Sequence, residues 1–241
     1  MRDQPEQQAP PVQRLRVRYA KRGRLRFTSH RDFSRAFERA LVRARIPMAY
    51  SSGFNPHPRI SYAGASPTGA ASEAEYLEIG LAEVVEPAQL AADLDEALPE
   101  GLDVLEVVEA TPGSLADRLE ASHWQVDLAG VPVAVATAAA EAFLARDSVA
   151  VERMTKKGLR TFDSRAAVLG LAVTAYDAGE VSGARLDVVL RHAVPAVRPD
   201  DLLTALAQVG GLQPAGAPLM TRLAQGPYDE GSGAIGDPLS S

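Results

Sequence analysis

Two histidines stand where a phosphate could be handled. His30 follows Ser29 at what reads as the start of a helix, where free backbone N–H groups and the helix dipole favour an anion. His57 lies between Pro56 and Pro58 in the run GFNPHP, so the backbone is stiffened on both sides and sets where the imidazole points. Together, His30 and His57 could act as general acid and base in a metal-independent cleavage of RNA, with Arg31 or Arg59 stabilising the pentacoordinate phosphate. The plainer reading makes each a cap or a contact without chemistry. Asn55, His57 and Arg59 could likewise touch a phosphate or a base edge, or form a structural turn in which Asn55 caps the backbone.

The basic residues around these positions are dense. Between Arg14 and Arg59 only Asp32 and Glu38 oppose a long series of arginines, whereas from Glu73 to Glu120 the acids face Arg118 alone. The net charge of -6 therefore conceals a strong local positive field. Arg14, Arg16 and Arg18 alternate with Leu15, Val17 and Tyr19, which places the arginines on one face of a strand and the apolar residues on the other. With helices covering the apolar side, the arginines would line an open sheet face, a platform for a nucleic-acid backbone. Arg31 and Arg35 occupy the polar face of the following helix. A third basic element, residues 153–160 with Lys156 and Lys157, then Arg165, reads as a hairpin tip. The ordinary alternatives are internal neutralisation of the Arg face by the acidic segment and, for the tip, a solvated turn.

Composition closes off several classes of chemistry. The chain has no Cys, so disulfides, thiolate zinc sites, iron–sulfur clusters and a cysteine nucleophile are all excluded. The 4 His show no HExxH-type spacing, and neither a metal nor a cofactor is expected. The polar start MRDQPEQQAPP does not read as a signal peptide, and the apolar run 131–145 is short for a membrane span. The expected compartment is the cytoplasm, with no membrane partner.

The elements that must position these groups follow in order. Strand 13–19 leads through a Lys-Arg-Gly turn to a short extended piece, 25–27. Ser29 reads as an N-cap, with Asp32 three residues on, for a helix with Phe33, Phe37, Ala40 and Leu41 on its apolar face. Pro47 stops it. Strands 59–62 and 76–81, a helix from Pro87 to Ala97 and a strand 102–108 complete a strand-helix-strand-strand-helix-strand series. A similar series recurs: strand 124–128, helix 132–146, strands 149–154, 168–176 and 186–191, and helix 199–209. The expected fold is α+β, with two tandem ferredoxin-like (βαββαβ-type) domains and antiparallel sheets. The divisions are a disordered tail 1–12, an Arg-rich domain 13–110, a linker 111–122, a second domain 123–225 and a disordered tail 226–241.

The run RFTSHRDFSRAFERALVRARIPMAYSSGFNPHPRISYAGASPTGAASEAEYLEI resembles the signature of the radical SAM-associated proteins, found fused to radical SAM enzymes or encoded beside them. The resemblance is dense over residues 26–79 and extends weakly through 156–165. Its hallmarks fall on Ser29, His30, Asp32 and the GFNPHP loop. It implies an accessory module for a radical SAM enzyme on a separate chain, in an RNA or translation setting. The cluster itself must lie on that other chain, because this one has no cysteine to bind it. The expectation is thus a non-enzymatic RNA-binding module; the alternatives are a ribonuclease or RNA-modifying enzyme using His30 and His57, and an adaptor docking on an acidic protein.

Overall fold

A computed structural model describes residues 7–155, 158–179 and 181–240. The structure is mixed α+β, with antiparallel strand pairing and five α-helices among the described residues. The chain divides into two compact units, one running to Arg118 and including Pro238–Ser241, the other spanning Leu119–Asp237.

The first unit contains β1 (Gln13–Lys21), α1 (His30–Arg43), β2 (Ile60–Ala63), β3 (Ala71–Leu81), α2 (Pro87–Ala97) and β4 (Val104–Glu109). Its strands lie in the order β4-β1-β3-β2, every neighbour antiparallel. Leu15, Val17 and Tyr19 from β1 join Leu77, Ile79 and Leu81 from β3 beneath Phe33, Phe37 and Leu41 of α1 and Leu90 and Leu94 of α2. Tyr19 stacks on Phe33 with ring centroids 4.5 Å apart. The period of two in β1 and the helical spacing of α1 produce this core directly.

Two local expectations need correction here. Residues 25–27 are not extended but lie in a 3-10 helix, Gly23–Phe27. Gly23 takes a positive φ of 53°, and the Leu25 N–H bonds to Arg22 O at 3.0 Å, which winds the chain before α1. The described part of the expected N-terminal tail is also fixed to the unit. The Gln8 N–H donates to Ser52 Oγ at 2.9 Å and the Val12 N–H to Leu81 O at 2.9 Å.

The second unit contains β5 (Ala121–Ala129), α3 (Val133–Leu144), β6 (Ala150–Thr155), β7 (Gly158–Asp163), α4 (Ser164–Ala167), β8 (Val168–Ala178), β9 (Val181–Arg191), α5 (Pro199–Gly210) and β10 (Leu219–Gly226). Strands β10-β5-β9-β8 form its sheet in that order, while β6 and β7 pair as a separate hairpin. Strands β7 and β10 add to the elements expected from the sequence. Nor is the segment after Gly226 a free tail. Asp229 accepts from the Gly231 N–H at 2.7 Å, Tyr228 bridges Ile235, and Leu239 is buried in the first unit. There the Arg118 guanidinium donates to Ser240 O at 2.6 Å.

Candidate nucleic-acid interface

The arginines of β1 point away from the core as their alternation requires, but the face they occupy is not open. Arg16 is fully buried. Its guanidinium donates to Thr111 Oγ1 at 2.8 Å, to Thr111 O at 2.9 Å, to Gly113 O at 2.7 Å and to Glu78 Oε2 at 3.3 Å. A buried guanidinium has to satisfy its donors, and Arg16 does so by holding the 111–113 segment across the sheet. Residues 111–113, the start of the expected linker, thus form a strap on this unit, and Arg16 is removed from any ligand surface. Arg18 is half-buried, with Nε donating to Glu73 O at 3.0 Å. Arg14 alone keeps an exposed side chain, 60% accessible, in a 3.3 Å pair with Glu78.

The basic face of α1 is free. Ser29 caps the helix, its Oγ accepting from the Asp32 N–H at 3.2 Å and donating to the Asp32 carboxylate at 2.7 Å. Arg31, Arg35 and Arg39 follow at intervals of four residues, all exposed, and none has a hydrogen bond or carboxylate partner among the described residues. That spacing keeps them on one helix face, about 6 Å apart along the axis at 1.5 Å per residue. Arg43 instead donates to Ala97 O at 2.9 Å. Arg39 continues the register of Arg35 and could have been added to the sequence-derived candidates on that spacing alone.

The GFNPHP loop is rigid at its ends. The Ser51 N–H donates to His57 O at 2.9 Å, the His57 N–H donates to Ser51 Oγ at 3.0 Å, and Tyr50 bridges Pro58. His57 is exposed and lines a cleft of 290 Å³ with Arg14, Ser51, Arg59, Ser61 and Glu78. Asn55 is exposed and has no hydrogen-bond partner among the described residues, so it does not cap the turn. Ser51, Ser61 and Glu78 were absent from the sequence-derived candidates, because nothing local in the sequence ties them to His57.

His30 and His57 share no hydrogen bond or ring contact, and the cleft that His57 lines does not include His30. His30 sits in the first turn of α1 with its ring edge-on to Tyr62, centroids 4.8 Å apart. Burial pushes the Tyr62 phenol up, with the Glu38 carboxylate adding to the shift. No group of three or more potential metal-ligating side chains occurs among the described residues.

In the second unit Arg153 and Arg165 serve the fold. Arg153 pairs with Asp201 and donates to Ala196 O at 3.0 Å. Burial raises the Asp201 carboxyl. Arg165 donates to Val168 O at 3.1 Å and lies over the Phe143 ring, so it holds α4 in place rather than reaching from a tip. Lys156 and Lys157 lie outside the described residues. No helix among the described residues is long and apolar enough to cross a membrane.

With an antiparallel α+β architecture and a cationic helix face established, comparison with known proteins places the chain in a bacterial family. It belongs to the family described as uncharacterized protein conserved in bacteria (DUF2344), matched over residues 14–199. No curated protein matches. Among solved structures, a Shewanella oneidensis protein assigned to the dyp-type peroxidases superposes with a TM-score of 0.22 and 10% identity, over 93% of this chain and 95% of that one. A superposition that loose carries no argument about fold or function.

Proposed function

We propose that this protein is a non-enzymatic RNA-binding module of the cytoplasm that presents RNA to a radical SAM enzyme on a separate chain. The exposed row of Arg31, Arg35 and Arg39, without partners among the described residues, is the observation that carries the reading. Guanidinium groups left free of carboxylates are available to phosphates, and releasing counterions from RNA supplies the affinity. Asn55, His57 and Arg59 offer a second set of contacts on the rigid loop. The strand orders β4-β1-β3-β2 and β10-β5-β9-β8, within a βαββαβ series that the β6–β7 hairpin and α4 interrupt in the second unit, support a tandem ferredoxin-like assignment. The resemblance over residues 26–79 supports the radical SAM partner. No hydrogen bond links His30 to His57, which favours binding over cleavage.

Crosslinking in the native cell tests both partners at once. Recovery of RNA crosslinked within α1, together with a radical SAM enzyme, is the expected result. Recovery of an acidic protein with no RNA would favour the adaptor reading, and cleavage of purified RNA in the presence of chelator would restore the enzyme.

A further inference from the structure

The cleft behind the GFNPHP loop has a donor set of its own. Arg59 Nε donates to Tyr50 O at 3.1 Å, which orients the guanidinium and leaves its two terminal nitrogens without a partner among the described residues. Arg14 faces the same space, and its pair with Glu78 is an exposed one that an incoming phosphate can displace. Glu78 would not be stranded by that exchange, because Arg16 Nε still holds it from beneath at 3.3 Å. The His57 backbone is held at both its N–H and its carbonyl, which fixes the backbone from which its imidazole reaches the cleft.

The wall opposite the loop comes from the N-terminal segment. Pro11 lies against Gly80, where an added Cβ would come within 3.0 Å of Pro11 Cβ and 3.4 Å of Arg59 Cβ. The missing side chain at Gly80 is what lets Pro11 and Arg59 stand beside one another. The resulting 290 Å³ lies just under the range of small-molecule pockets, which begin at roughly 300 Å³. That is room for one nucleotide rather than for a peptide segment or a helix.

We propose that this cleft is a mononucleotide site, taking one nucleoside monophosphate unit with its phosphate on Arg59 and Arg14 and its base toward the proline surfaces of Pro11 and Pro58. The site deepens the RNA-binding reading, on which it rests, and makes the N-terminal segment part of the binding surface.

The test titrates the isotope-labelled full chain with AMP, GMP, CMP, UMP and inorganic phosphate, following the His57 ring and Arg59 side-chain resonances. Saturable shifts at both residues with at least one nucleotide are expected, with inorganic phosphate at least tenfold weaker. Arg59→Ala should weaken the nucleotide at least tenfold, and Arg59→Lys should recover only part of the loss. Gly80→Ala should weaken it too, and a thermal melt shows whether that variant is folded. Equal binding of phosphate and nucleotides, an absence of saturable shifts, or an unchanged Arg59→Ala would each overturn the proposal. Single-stranded RNA binding that persists while nucleotides leave His57 unmoved sinks the cleft and spares the RNA reading. Nucleotide saturation with no RNA binding does the reverse.

Discussion

Arg16 and Thr111 are joined twice, through the Thr111 hydroxyl at 2.8 Å and its carbonyl at 2.9 Å, with the guanidinium fully buried. This contact turns the expected Arg platform into a strapped face. Removing a buried, fully engaged charge leaves the strap carbonyls and Glu78 poorly satisfied, so Arg16→Ala should cost about 3–5 kcal/mol. Arg14→Ala, with its side chain largely in water, should stay within about 0.5 kcal/mol. Urea unfolding of both variants checks the contrast, and equal losses would mean that Arg16 is not a strap anchor.

The two faces of α1 should separate in the same way. Phe37 is fully buried between the sheet and the helix, and Phe37→Ala should cost about 3–5 kcal/mol. Arg35 makes no contact that folding needs, so Arg35→Ala should leave the urea midpoint nearly unchanged while weakening RNA. A large stability loss at Arg35 would contradict the free cationic face.

Local periodicity made much of this legible. The alternation in β1, the Ser29 cap, the apolar stripe of α1 and Pro87 at the start of α2 all follow from residues close in sequence. Closure of the Arg face did not, because it depends on Thr111 and Gly113 arriving from far along the chain to meet Arg16. Strand β10, LMTRLAQG, has no clean alternation to announce it. The polar segment after it reads as tail by composition, yet Asp229 builds a turn on the Gly231 N–H and on the Gly233 N–H, which donates to its carbonyl at 2.8 Å. Within the candidate site, the exposed positions of Arg31, Arg35, Asn55 and His57 follow from residue type and spacing. Arg16 and Arg165 have the same residue type but a structural role that only long-range contacts reveal.

In the second unit, α3 and α5 touch through small residues. A Cβ at Gly210 would come within 2.6 Å of Ala139 Cβ. Gly210→Ala must therefore push the helices apart, an overpacking expected to cost about 1–3 kcal/mol despite the gain in helix propensity. A thermal melt more stable than the parent would show that the helices can separate freely.

Asp163 caps α4 and gives the second unit a pH-dependent contact. Burial alone would raise its carboxyl, but hydrogen bonds from the Val149 N–H, the Ser148 hydroxyl and the Arg165 and Ala166 N–H groups outweigh that and hold it below the usual range. A depressed folded-state pKa means that the stabilisation is present above the ordinary carboxylate range and is lost as pH falls through the folded value. Asp163→Ala should cost about 1 kcal/mol at neutral pH. In urea titrations the gap between parent and variant should narrow in acid; a gap that widens there would reverse the sign.

The α1 arginines carry the proposed interface, and a salt titration of RNA binding measures them most directly. Single-stranded RNA should bind with an affinity that falls steeply with salt, by about 0.7 in log–log slope for each phosphate neutralised. Changing Arg31, Arg35 and Arg39 together to Ala should reduce that slope by about 2 and weaken all sequences alike, since the three contacts carry no base information. A triple variant whose slope and affinity match those of the parent would contradict the proposed interface.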